Sequence, residues 1–137
     1  MGKKYRLLSD KNKYSLPKED YLTSIHYSLR YPLWVEELRT AADTVEAIRY
    51  DKDKVQTSIS GSTTEDVAIR MSELQNKIDL VDETISEAAG SILAPYLRYS
   101  VCHGLTYEQC CAKGLCYGRR QFYEMRRRYI YLLSRKI

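Results

Sequence analysis

Long apolar runs, clustered histidines and phosphate-binding glycine loops are all missing from this chain of 137 residues. No apolar stretch approaches the ~20 residues that span a bilayer. The basic opening, MGKKYRLLSDKNKYS, is not followed by the apolar stretch of a secretion signal. A cytoplasmic protein is therefore expected. The two histidines, His26 and His103, stand in separate segments, so the converging titratable groups that acid–base or metal catalysis needs are not in sight. Gly61 lies alone between Ser60 and Ser62, and neither the P-loop nor the G-x-G-x-x-G pattern occurs. We expect no enzyme, no catalytic residue and no cofactor.

Cysteine is present but wrongly spaced for metal. Cys102, Cys110, Cys111 and Cys116 fall close together, yet there is no C-x-x-C, and adjacent Cys110 and Cys111 point about 100° apart on a helix. No metal site is expected, and Cys102 and Cys111 are read as small buried apolar residues in a reducing compartment. Strand signals are equally thin, since the one β-leaning stretch, Val55 to Ser60, is short and flanked by polar residues.

Helical periodicity fills the space these absences leave. From residue 65, Val67, Met71, Leu74, Ile78, Val81, Ile85 and Ala88 step by four and three, a heptad-type stripe that requires a helical partner. Ser62, Thr63 or Thr64 is expected to cap this helix and Gly90 to stop it. Upstream, Trp34, Leu38, Ala41, Val45 and Ile48 repeat the stepping after Pro32. The two stripes predict an antiparallel helical hairpin across the polar linker 49–64, or pairing with a second copy of the chain. A further helix is expected from Pro17 to Tyr31, with Tyr21, Leu22, Ile25 and Leu29 on one side and a structural His26 near that face. Another runs from Ser91 to His103, offering Ile92, Leu93, Leu97 and Val101 as support. The fold class is all-α: residues 1–16 a mobile N-terminal segment, 17–90 a helical hairpin and oligomerisation region, 91–137 a helix-turn-helix region.

The last segment carries the functional signal. Thr106 is a good N-cap with Gln109 placed to close a capping box, so a short helix from Tyr107 to Lys113 follows. Gly114 then ends it, and about four residues lead into a second helix. On that helix Phe122, Met125, Tyr129, Leu132 and Leu133 share one face, and Arg120, Tyr123, Arg127, Tyr131 and Ser134 lie opposite, flanked by Arg119, Arg126, Arg128 and Arg135. Planar guanidinium forks suit phosphate oxygens and guanine edges, and tyrosine hydroxyls add phosphate hydrogen bonds. Charge is distributed to match: residues 96–137 carry +7 and residues 65–95 carry −5. These features predict a reader of double-stranded DNA that uses Arg119, Arg120, Tyr123, Arg126, Arg127, Arg128 and Tyr131. The competing reading is a solvated basic helix.

The C-terminal LTYEQCCAKGLCYGRRQFYEMRRRYIYLLSRKI, together with YDKDKVQTSISG ahead of the long helix, resembles the phage and prophage regulators of the RinA and ArpU type. Their C-termini are similar to region four of sigma factors. The resemblance covers residues 49–137. Tyr107, Cys110, Cys111 and Ala112 stand where such units usually carry a tryptophan and an isoleucine–alanine pair. It implies a transcription regulator in a bacterial host cell that binds a phage promoter, activates late genes and contacts RNA polymerase. Alternatives within phage biology are the DNA-recognition small subunit of a packaging terminase and a protein-binding inhibitor of a host nucleic-acid enzyme. A homodimer suits the first reading, because one short recognition helix buries little surface.

Overall fold

The computed structural model describes residues 12–54 and 61–137. Within them the chain is all-α and contains no strand: α1 (Lys18–Leu29), α2 (Tyr31–Lys54), α3 (Gly61–His103), α4 (Tyr107–Ala112) and α5 (Arg119–Lys136). Of the segment expected to be mobile, residues 1–11 and the β-leaning 55–60 lie outside the described residues. Residues 12–15 make a turn in which the Asn12 side chain accepts from Tyr14 N (2.9 Å) and its carbonyl accepts from Ser15 N (3.0 Å).

Local chemistry explains the helix ends. Glu19 and Asp20 sit in the first turn of α1, complementing the dipole there. The helix cannot run on, because Pro32 has no N–H to give the Ser28 carbonyl. Between residues 49 and 60 there is neither glycine nor proline, so α2 continues to Lys54 and the expected linker shrinks. α3 correspondingly begins at Gly61, which puts Ser62, Thr63 and Thr64 inside the helix instead of ahead of it.

α3 is two helical segments in sequence, divided at Gly90, whose φ of 77° and ψ of 170° belong to a region that only glycine occupies cheaply. Arg98 and Asp82, 16 residues apart, meet at 2.9 Å, whereas a straight helix would separate them by about 24 Å. The chain therefore doubles back at Gly90.

Two compact units result, residues 31–80 and the remainder. In the first, Arg70 pairs with Glu37 at 2.8 Å and the Lys77 ammonium lies 5.6 Å from the Trp34 ring. Partner numbers fall along α3 as they rise along α2, so the two run antiparallel, with Trp34, Leu74 and Ile78 buried. Exposed pairs of this kind contribute about 0–1 kcal/mol each; the buried side chains, at about 1.5–3 kcal/mol apiece, dominate.

The second unit gathers α1, residues 81–103, α4 and α5. Its core includes Val81, Ile85, Leu97, Val101, Phe122, Tyr129 and Leu133. Two placements differ from the periodicity reading. Ile92 is 84 % exposed while Ala94, Ser100 and Cys102 are buried, because the helix restarts at Gly90 with a rotation that no upstream stripe specifies. On α1 the buried face is Ser24, Ile25 and Ser28, and His26 points to solvent. Small serines let α1 approach α5 closely, and their hydroxyls are satisfied by the carbonyls four residues back, Asp20 (3.1 Å) and Ser24 (2.9 Å).

Since the Ser28 hydroxyl donates to Ser24, the 2.7 Å contact between Ser28 Oγ and Tyr129 Oη must use the tyrosine hydrogen. Both residues are buried, which fixes the order of three variants. Ser28→Ala, which orphans the tyrosine hydroxyl, should cost about 1–3 kcal/mol, and Tyr129→Phe about 1 kcal/mol. The double variant should resemble Tyr129→Phe alone. Urea denaturation of the three checks this; additive losses would refute the assignment.

Candidate nucleic-acid interface

The C-terminal helix pair is built by three local devices. Gln109 N donates to Thr106 Oγ1 (3.2 Å) and Thr106 N donates to Gln109 Oε1 (2.8 Å), the reciprocal capping box that opens α4. At its other end Gly114 N reaches the Cys111 carbonyl (3.0 Å) and Leu115 N the Cys110 carbonyl (3.1 Å), the two bonds of a Schellman motif. Gly114 has φ 111°, and a Cβ there would stand 3.2 Å from Tyr96 Oη. α5 then starts at Gly118, whose carbonyl accepts from Phe122 N at 2.8 Å. Across the turn the Tyr107 hydroxyl donates to the Tyr117 carbonyl, and the Tyr107 ring lies 5.5 Å from that of Phe122.

α5 is held by Phe122, Met125, Tyr129, Ile130 and Leu133. Ile130 replaces Leu132, which is only half-buried, because α1 covers the edge of the stripe on the Ile130 side. The cysteine expectation shifts for a similar reason. Cys102 and Cys110 are buried and Cys111 is half-exposed; Cys110 Sγ lies 3.7 Å from the Tyr96 carbonyl, so α4 turns that residue, not its neighbour, inward. Among the described residues no three histidine, cysteine or acidic side chains converge as a metal site.

Seven residues were singled out by sequence, and the structure distributes them over three environments. Arg120, Arg127 and Arg128 are exposed and, among the described residues, have no ion-pair partner. Arg119 is exposed but engaged: it pairs with Glu108 across the turn and its guanidinium lies 5.1 Å from the Tyr107 ring centre. Glu108 is held below the usual carboxylate range by its own backbone amide and by Arg119. Tyr123, Arg126 and Tyr131 are half-buried. Tyr123 leans on Tyr107 (6.4 Å), and Tyr131 lies between Tyr14 and Arg135, each 5.7 Å away.

Helical geometry explains the sorting. Arg120, Arg127 and Tyr131 fall opposite the buried stripe, whereas Arg126 falls within its arc, between Leu133 and Ile130. Periodicity could not reveal the Arg119–Glu108 pair, which spans a turn, nor the cover that Tyr14 gives Tyr131. No family model, no curated protein and no solved structure matches the chain. Among the described residues no helix is long and apolar enough to cross a membrane.

Gly114→Ala should lower stability by about 1–3 kcal/mol, from left-handed backbone strain and the approach to Tyr96. A urea midpoint indistinguishable from wild type would show that the turn tolerates a side chain. A second expectation concerns pH. Burial pushes the Cys102 thiol up to about 12 from 9.0. Because the folded value lies above the unfolded one, this contribution is complete below pH 9 and is lost as pH rises towards 12, at up to about 1.4 kcal/mol per pH unit. Reductant-protected denaturation at pH 8, 9.5 and 10.5 should show a steeper loss for wild type than for Cys102→Ala. Parallel losses would exclude the thiol as the cause.

Proposed function

We propose that this chain is a DNA-binding transcription regulator whose α4–turn–α5 unit is a helix-turn-helix. The observation that carries the reading is the pair Arg120 and Arg127: exposed, without carboxylate partners among the described residues, and on the face of α5 opposite its buried stripe. A cation left free on a rigid helix is available to a polyanion without first breaking an internal pair. α4 and α5 are joined by the six residues 113–118, longer than the expected break of about four. The support lies in Arg120, which stands in the first turn of α5, where a recognition helix approaches base edges. The RinA- and ArpU-type resemblance of residues 49–137 adds a phage origin, late-gene activation and contact with RNA polymerase to this proposal.

Leu74, Ile78, Val81 and Ile85 of the heptad stripe are buried within the single chain. A dimer would therefore use another surface.

The test is binding to a random-sequence duplex by fluorescence anisotropy across 50–200 mM salt, followed by selection of a preferred site. Affinity should fall with salt, with a log–log slope of about −0.9 per phosphate neutralised. Arg120→Gln/Arg127→Gln should weaken binding at least tenfold and reduce the slope by about two contacts' worth. Binding indifferent to salt and to both substitutions would exclude DNA as the partner.

A further inference from the structure

Between α1, residues 100–107 and α5 lies a cavity of about 300 Å³, at the lower end of the volumes that hold small organic molecules. Much of its wall is hydrocarbon and phenol, including Ile25, Leu29, Leu105 and Tyr123. Beside Thr106, Tyr107 and Tyr123, its polar lining is Ser28, Ser100, Arg126 and Tyr129, and these four are not equivalent. Ser28 is bonded to Tyr129 and to the Ser24 carbonyl, so its hydroxyl is committed, as is that of Tyr129. Ser100 is only 7 % exposed, and its hydroxyl has no hydrogen-bond partner among the described residues. Arg126 is half-buried and lines the same cavity from α5, with no ion pair or hydrogen bond among the described residues.

Neither group is an unsatisfied buried atom, so in the free protein both reach water at the cavity, and each can serve a ligand without first breaking an internal bond. One ligand type suits both donors and the apolar wall: an anion to face the fork of Arg126 and accept from Ser100, attached to a body that fills the apolar remainder. A duplex phosphate does not qualify, because it sits on a convex backbone and carries no apolar body to place against Ile25 and Leu29. We propose that this cavity is a binding site for a small organic carboxylate, with Arg126 as the anion anchor and Ser100 as the second donor. Arg126 then belongs to this site instead of to the outer face of α5.

Benzoate serves as the probe and benzamide, its uncharged counterpart of equal shape, as the control. Titration of the full chain at constant ionic strength, followed by amide and arginine Nε–H NMR shifts, should show saturable benzoate binding with changes concentrated at Ser100, Leu105 and Arg126. Benzamide should bind at least tenfold more weakly, a comparison made on unaltered protein. Arg126→Gln should erase the difference between the two, Arg126→Lys should restore part of it, and Ser100→Ala should weaken benzoate a few-fold. Arg127→Gln should leave benzoate binding within twofold of wild type while it impairs DNA binding, so failure here and failure of the proposed function are separable. Equal affinity for benzoate and benzamide, or shifts centred on Arg120 and Arg127, would overturn the site.

Discussion

Rotation of α5 about its own axis is the constraint on which everything else in the C-terminal unit depends. A helix has one angular degree of freedom once its axis is placed, and each residue of error turns it by about 100°. Phe122, Met125, Tyr129, Ile130 and Leu133 fix that angle by burial, at about 1.5–3 kcal/mol per side chain against about 0–1 kcal/mol for any exposed pair. Apolar contact is non-directional, however, and would tolerate some roll. The hydrogen bond between Ser28 and Tyr129 is directional and buried, so it selects one rotation from the range that packing alone permits. With the angle set, Arg120 and Arg127 face outward and Arg126 faces the cavity as geometric consequences.

That bond also joins residues 101 positions apart. The first described helix is thus a structural part of the C-terminal unit, and the intervening α2 and the first portion of α3 make the other compact unit. The chain re-enters this unit at Val81, and within the unit the backbone reverses direction at Gly90, between two helical segments. The Arg98–Asp82 pair closes the resulting bend.

What the sequence made legible was local chemistry. Thr106 with Gln109, Gly114 and Gly90 each announce their role through backbone requirements that few residues satisfy, and each is found performing it. The stripe from Leu74 to Ile85 was equally plain, because a run of three- and four-residue steps has only one helical interpretation. What stayed illegible were choices made by neighbours distant in the chain. Ile130 over Leu132, Cys110 over Cys111 and the exposure of Ile92 all depend on which side a partner helix covers. Ser24 and Ser28 escaped notice because periodicity counts apolar residues, while close helix approach rewards small ones. The same limit applied to the arginines: six on one helix look alike in sequence, yet Arg119 is paired across a turn, Arg126 lines a cavity beside α1, Arg135 lies against Tyr131, and Arg120, Arg127 and Arg128 have no ion-pair partner among the described residues.

The free cations are not evenly disposed, and this bears on how a duplex would lie. Around the outer face of α5, Tyr123, Arg127 and Arg120 fall within an arc of about 60°, followed by Tyr131 and then Glu124 and Arg128 on the far side. Glu124 repels phosphate, and the neighbouring surface at Arg128 is shared with Lys13, Tyr14 and Gln121. Under the proposed function a polyanion would meet least repulsion at the Tyr123–Arg127–Arg120 edge, which is also the edge next to the Arg119–Glu108 pair. Because that pair is exposed, its strength in water is small, and a phosphate approaching the same edge can compete for Arg119 at little cost. Glu108 holds Arg119 along the turn through an exposed pair, and in the proposed function it would be the first internal competitor that an incoming phosphate displaces.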